Sequence, residues 1–210
     1  RICANNVAKP SGALTYTQML NSKGGIECDL TVARLADDEF YLVSGTAFRT
    51  HDAAWIRSQF LADEHVELQD ITEDWATFSL MGPLAREVLA KITTDDLENE
   101  SFPFGTCHTI DINDEFSTDV PNVLALRVTY VGELGWELHM PRDSAEILYD
   151  ALMEAGKDFG IANAGYRAIE SLRLEKGYRA WGADITADTT PFEAGLGWAG
   201  KLNSGTGFTG

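Results

Sequence analysis

The sequence is short of positive charge. Sixteen Lys and Arg residues face 33 Asp and Glu over 210 residues, for a formal net charge of −17. Nonspecific nucleic-acid binding needs a basic surface to neutralise phosphates, so that class is excluded. An anionic membrane surface is excluded on the same ground. Cysteine is scarce too: Cys3, Cys28 and Cys107 are too few and too scattered for a disulfide framework or a Cys-rich zinc centre. His51, His65, His108 and His139 show no metal-ligand spacing, so no metal is expected. No apolar run reaches membrane-spanning length, and no secretory signal is visible. The chain starts at Arg1 inside what reads as structured sequence and stops at a Gly-rich run, so it is read as a piece of a longer protein.

What is present is a core-forming composition. Hydrophobic residues make up 44%, enough to argue against disorder. Thr15–Leu20 and Ile26–Ala33 read as strands joined by Asn21-Ser22-Lys23-Gly24-Gly25. In the second, Ile26, Cys28, Leu30 and Val32 alternate with Glu27, Asp29 and Thr31, which puts Asp29 on a polar face. Further strands are expected at Glu39–Ser44, Val66–Asp70, Trp75–Met81 and Thr106–Ile112, with a turn at Asn113-Asp114-Glu115. Helices are expected from His51 to about Leu61 behind a Thr50 cap, after Pro83 with Leu84, Val88 and Leu89 buried, from Ser144 to Phe159, and from about Ala164 to Lys176. Asp143 and Glu146 have capping-box spacing, and Arg167 and Glu170 have the spacing of a helix-surface ion pair. Trp181 to Gly210 reads as a long irregular tail. Strands and helices mix without regular βαβ alternation, so the fold class is α+β.

The most informative stretch is Tyr130-Val131-Gly132-Glu133-Leu134-Gly135-Trp136-Glu137. It reads as a tight hairpin with residues 131–134 in the loop, Tyr130 opposite Gly135, Val128 opposite Glu137, and Tyr130 and Glu137 as diagonal neighbours. An aromatic face beside a carboxylate suits a flat heterocycle with N–H donors. Physics alone favours a surface hairpin with an ordinary Glu, and an ordinary solvated carboxylate at Asp29.

Taken together, Tyr-x-Gly-Glu-x-Gly-aromatic-Glu, Gly24-Gly25-Ile26-Glu27-Cys28-Asp29-Leu30 and Ser171-Leu172-Arg173-Leu174-Glu175-Lys176-Gly177 resemble the tetrahydrofolate-binding aminomethyltransferase family. That family includes the glycine-cleavage T protein and the C-terminal half of dimethylglycine and sarcosine dehydrogenases. The resemblance covers residues 1–210 and implies a partial aminomethyltransferase-like fold, antiparallel sheets with packed helices, truncated at both ends. It implies that Asp29 assists C1 transfer at N10 of tetrahydrofolate and that Tyr130 and Glu137 hold the cofactor. Gly45 stands where the T protein carries a pteridine-binding Asn, so only backbone contacts remain there. Ile169 stands where the T protein carries a folate-pocket Arg. Trp181 lies in a tail that resembles the dehydrogenase branch and is expected to line the pocket, with core packing as its ordinary alternative.

The implied function is the one-carbon-accepting part of a dimethylglycine or sarcosine dehydrogenase-like flavoprotein, which forms 5,10-methylenetetrahydrofolate. FAD would belong to a flavin domain in cis, outside this chain. The expected partners are a small-molecule substrate and folate, and the expected location is the cytoplasm, or the mitochondrial matrix in a eukaryote. The alternatives are a stand-alone aminomethyltransferase of glycine cleavage, a folate-dependent demethylase, and a non-catalytic folate-binding protein. Gly195-Leu196-Gly197-Trp198-Ala199-Gly200 matches a dinucleotide fingerprint only formally, because no strand precedes it and no helix pattern follows. Asn99-Glu100-Ser101 is a formal glycosylation sequon with no meaning in a cytosolic protein.

Overall fold

The structure is a computed structural model; it describes residues 1–113, 118–202 and 207–210. The expected turn at Asn113-Asp114-Glu115 falls largely outside the described residues. The chain divides into two compact units, Arg1–Asp70 with Arg179–Gly210, and Ile71–Tyr178. The α+β class holds in both.

The first unit is built on a three-stranded antiparallel sheet, β1 (Leu14–Leu20), β2 (Ile26–Arg34) and β3 (Phe40–Ser44), in that spatial order. The β1–β2 turn is fixed by Asn21, whose Oδ1 accepts from the Lys23 and Gly25 amides while its own N–H donates to the Gly25 carbonyl. Pairing runs Gln18 to Asp29 and Met19 to Cys28, then slips so that Leu20 faces Ile26. That bulge separates the apolar residues of β2 into two cores. Cys28, Leu30 and Val32 pack with Met19 and with Ile56 of helix α1 (Arg49–Ser58). Ile26 packs instead with Leu20, Ala4, Ile185, Ala194 and Leu196.

Helix α1 begins earlier than its sequence suggests. Thr50 lies inside it, Phe48 is the N-cap residue, and no side chain caps the first turn. A short 3₁₀ turn over Thr46–Phe48 leads into the helix and takes the place of a cap. Val66–Asp70 is not a strand. Val66 is exposed, and Asp70 is held through its side chain by Arg49 Nε at 2.6 Å. An alternating pattern without a neighbouring strand to complete its hydrogen bonds does not make a strand.

The second unit carries four antiparallel strands in the order β4 (Trp75–Met81), β7 (Gly135–Pro141), β6 (Asp119–Leu126) and β5 (Cys107–Asn113). Trp136, Leu138 and Met140 of β7 point into one core with Phe102, Ile110, Val123 and Ala125. Helices α2 (Ala85–Leu89) and α3 (Ala145–Ala155) cover that core through Val88, Leu89, Leu148, Ala151 and Leu152. Leu84, expected inside, is exposed, and so is Ile147 of α3. Leu84 is the N-cap of α2 and lies outside its regular turns. The Asp143–Glu146 capping box does not form, because a 3₁₀ turn over Arg142–Ser144 feeds α3 directly. Gly156 ends α3 where the sequence pattern runs on to Phe159.

Helix α4 (Tyr166–Glu175) matches its expectation and stops at Gly177, whose φ of 72° is left-handed. Glu170 takes its ion pair from Arg173 rather than from Arg167. Arg173 is the buried partner; its guanidinium also donates to the Tyr178 carbonyl at 2.9 Å, and a buried charge needs both.

Candidate functional site

Asp29 sits at the centre of the first unit's sheet. Its register partner on β1 is Gln18, a fully buried residue whose Nε2 donates to Asp29 Oδ1 at 2.9 Å. Tyr16, two residues earlier on the same face, also hydrogen-bonds the carboxylate. Burial pushes the Asp29 carboxyl up from the usual carboxylate range, and the two hydrogen bonds oppose that shift without cancelling it. The nearby Asp52 charge adds to the rise. Gln18 Oε1 is buried and has no hydrogen-bond partner among the described residues. The turn alone does not reveal Gln18: extended from Leu20–Ile26 it sets Thr17 against Asp29, and the bulge between Met19 and Leu20 brings Gln18 there instead.

Gly45 follows β3 with φ −64° and ψ 126°, a conformation any residue adopts. Its carbonyl accepts from the Phe48 amide at 2.8 Å. A Cβ there would stand 3.2 Å from the Phe48 ring, which must give by a few tenths of an ångström to admit one. Trp181 donates its indole N–H to the Ile26 carbonyl at 2.7 Å and meets the Phe48 ring edge-on at 4.6 Å between centroids. It is packed against the Ile26 core, and its polar atom is already used.

Beside Asp29, β2 and α1 assemble a cluster the sequence spacing did not reveal. His51 Nδ1 lies 3.0 Å from Asp52 Oδ1, and its Nε2 lies 3.4 Å from Glu27 Oε2. Glu27 Oε1 in turn accepts from Asn21 Nδ2 at 3.0 Å. Cys28, His51 and Asp52 each offer a ligand atom within 4.8 Å of the others.

In the second unit the signature hairpin is wider than its sequence suggests. β6 ends at Leu126, and Glu137 pairs with Leu126 rather than with Val128. Residues 127–134 form the loop, so Tyr130 lies off the sheet and does not face Gly135; Gly135 pairs with Met81 of β4. The physical cause is Thr129, whose Oγ1 accepts from the Val131 and Gly132 amides at 3.2 and 2.9 Å and turns the chain before a ladder can form. Gly132 has φ 78° and lies against the Lys176 side chain. Tyr130 is partly exposed and stacks on Tyr178, with centroids 6.2 Å apart and planes 14° from parallel. Glu137 does project from the sheet face opposite Trp136, beside His139, whose Nε2 is 3.6 Å from Glu137 Oε2. His139 Nδ1 lies 3.0 Å from Thr77 Oγ1. Tyr130 and Glu137 are therefore held independently, one by a loop and one by a strand.

Arg127, at the start of that loop, is buried and lies 5.5 Å above the Trp136 ring. Its Nη2 donates to Asn99 Oδ1 at 2.6 Å, the same atom that accepts from Arg86 at 2.7 Å. The sequon asparagine is thus engaged by two guanidinium groups. Burial lowers the Arg127 pKa, and the neighbouring Arg86 charge adds to that.

No helix among the described residues is long and apolar enough to cross a membrane. The family model for the GCVT N-terminal domain matches residues 1–204. The mitochondrial sarcosine dehydrogenase of Mus musculus is 42% identical over 98% of this chain and 23% of its own length. The mitochondrial dimethylglycine dehydrogenase of Rattus norvegicus is 39% identical over 100% of this chain and 24% of its own. The crystal structure of glycine cleavage system aminomethyltransferase T from Bartonella henselae superposes with a TM-score of 0.79 at 30% identity, over 96% of this chain and 51% of that one. The chain thus spans about a quarter of the length of the two dehydrogenases.

Proposed function

The chain belongs to the GCVT N-terminal domain family, and from that premise we propose that it binds tetrahydrofolate and accepts a one-carbon unit as part of an N-methyl amine dehydrogenase. The observation that carries the reading is the Asp29–Gln18 pair: a largely buried carboxylate, fixed by an amide from the facing strand, at the position where the family resemblance expects the N10 partner. A carboxylate held there can accept a hydrogen bond from N10–H and stabilise positive charge that develops next to it.

Tetrahydrofolate supplies the amine nitrogens that capture the carbon, giving 5,10-methylenetetrahydrofolate. In the same reading Tyr130 and Glu137 bind the folate, the phenol ring by stacking and the carboxylate by accepting N–H groups. Gly45 and Trp181 act through their surroundings, Gly45 by leaving its backbone accessible and Trp181 by packing. A flavin domain in cis supplies the carbon by oxidising an N-methyl amine, with FAD as its cofactor. The identity of 42% and 39% to the two dehydrogenases, against 36% to the aminomethyltransferase of Halothermothrix orenii, supports that branch. The mitochondrial names of those relatives support a matrix location for a eukaryotic source.

The test is Asp29→Asn in the full-length protein. Amine oxidation continues at the wild-type rate, while methylenetetrahydrofolate formation slows by ~10²-fold or more, the usual contribution of a positioned acid or base. Equal product formation by both proteins removes Asp29 from the mechanism. Saturable tetrahydrofolate binding in anaerobic calorimetry separates a lost catalytic step from lost binding.

A further inference from the structure

We propose that Cys28, His51 and Asp52 form a binding site for a borderline-soft divalent cation of the zinc type, with Glu27 orienting His51 from behind. Two elements build the site. Cys28 comes from β2, while His51 and Asp52 are adjacent in the first half of α1. Their ligand atoms all lie within 4.8 Å of one another. Ligands around a tetrahedral zinc-type ion stand ~3.5 Å apart, so small side-chain adjustments close the set.

The orientation of His51 favours a cation over a chance meeting of polar groups. Its Nδ1 faces Asp52 Oδ1 at 3.0 Å, and its Nε2 faces Glu27 Oε2 at 3.4 Å. In the tautomer that donates Nε2–H to Glu27, the Nδ1 lone pair is directed at the Asp52 carboxylate, and a cation between them would be held by both. In the metal-free protein a proton on Nδ1 fills that 3.0 Å contact, and the ion would displace it. A metal ion there would also take the Cys28 sulfur as thiolate, releasing the thiol proton to solvent. Glu27 is itself fixed by Asn21 Nδ2 at 3.0 Å. A histidine ligand backed by a carboxylate, with that carboxylate backed by an amide, is the outer-shell arrangement that sets tautomer and ring angle in metal sites.

The chemistry of the set selects the ion. A thiolate, an imidazole and a carboxylate suit Zn²⁺ or Co²⁺, and disfavour Mg²⁺ or Ca²⁺, which take oxygen ligands. Cys28 and Asp52 are buried, while the His51 side chain is 41% exposed, so an ion enters past His51. His51 also lies 5.5 Å from the Trp181 ring, so an ion would tie β2 and α1 together beneath the tail segment that carries that tryptophan. Three protein ligands leave a fourth position for water.

The probe is Co²⁺ titrated into the metal-stripped, reduced protein. One equivalent binds and gives thiolate-to-cobalt charge-transfer absorption, and Zn²⁺ displaces it. Cys28→Ser removes the band, whereas Cys3→Ser and Cys107→Ser keep it. His51→Ala, at a partly exposed position, weakens Zn²⁺ binding at least tenfold, and Glu27→Gln weakens it ~10–100-fold, the usual effect of losing an outer-shell partner. Circular dichroism establishes that each variant is folded. A wild-type protein with no band, a band that survives in Cys28→Ser, or Zn²⁺ affinity unchanged in His51→Ala overturns the proposal. If Cys28→Ser does not fold, the His51→Ala affinity decides.

Discussion

Gln18 and Asp29 face each other directly across β1 and β2, and the Gln18 amide donates to the Asp29 carboxylate at 2.9 Å. Gln18 is fully buried, so its amide is fixed by packing as well as by that bond. Replacing it with Leu keeps the volume and removes the donor, leaving a largely buried carboxylate short of one partner. The expected loss is ~1–3 kcal/mol of stability, measured by urea denaturation. Tetrahydrofolate affinity should fall as well, because Asp29 loses its fixed direction. A Gln18→Leu protein with wild-type folate affinity would show that Asp29 orientation does not depend on this pair.

Tyr130 and Glu137 offer a test of the second unit. Tyr130 stands in a loop and stacks on Tyr178, while Glu137 stands on β7. Both are at least partly exposed, so Tyr130→Ala and Glu137→Gln should change stability by no more than ~0.5 kcal/mol. Each should weaken tetrahydrofolate binding about tenfold or more by calorimetry, the equivalent of one good contact. Losses confined to one of the two would leave only that residue in the folate assignment. Wild-type affinity in both variants would remove the pair.

Much of this fold is legible in the sequence, because alternation and turn chemistry are local. Asp29 on a polar strand face, the β1–β2 turn and the Gly177 stop of α4 follow from residues within a few positions of one another. The misreadings arose where a distant or competing partner decided the outcome. Val66–Asp70 alternates but has no strand beside it. The hairpin loop widened because Thr129 captures two backbone amides before the strands can zip together. The Cys28–His51–Asp52 cluster joins residues more than twenty positions apart, which ligand-spacing rules along the chain do not detect.

Capping gives the sharpest contrast and a pH prediction. The box expected at Asp143 and Glu146 does not form, but one does form in the tail read as irregular. Thr190 Oγ1 accepts from the Glu193 amide at 3.3 Å, and Glu193 Oε2 accepts from the Thr190 amide at 2.9 Å, with Pro191 at the first position. The Thr190 amide, and the Thr190 hydroxyl that also donates to Glu193 Oε2 at 2.9 Å, hold the Glu193 carboxyl below its ordinary value. A depressed folded-state pKa adds stability that is present above the unfolded value and is lost as pH falls through the folded one. The Glu193 carboxyl resonance in a carbon-13 NMR titration should therefore have a midpoint below that of an ordinary glutamate. Thr190→Val, which removes the hydroxyl, should move that midpoint upward. A midpoint that Thr190→Val leaves in place would mean the box does not persist in solution.

Gly25 closes the β1–β2 turn for steric rather than conformational reasons. A Cβ there would sit 1.8 Å from the Ala187 carbonyl oxygen and 2.8 Å from Asn21 Nδ2. The first neighbour is backbone and cannot rotate away, and the second is the amide that donates to Glu27 Oε1 and to the Ala187 carbonyl. The Ile26 amide also donates to the Thr189 carbonyl at 3.0 Å, so the 187–189 backbone is tied to the start of β2 on both sides of Gly25. Gly25→Ala must therefore push the tail segment off the strand or distort the turn that leads into the Met19–Leu20 bulge and the Gln18–Asp29 pairing. The expected cost is more than ~2 kcal/mol, with a fall in Tm of several degrees in a thermal scan. Gly24→Ala, at φ 82° with open space around it, should cost only the ~1–2 kcal/mol of a left-handed non-glycine residue. If Gly24→Ala proves the more damaging of the two, backbone freedom in the turn, not close approach of the tail, is what this glycine pair provides.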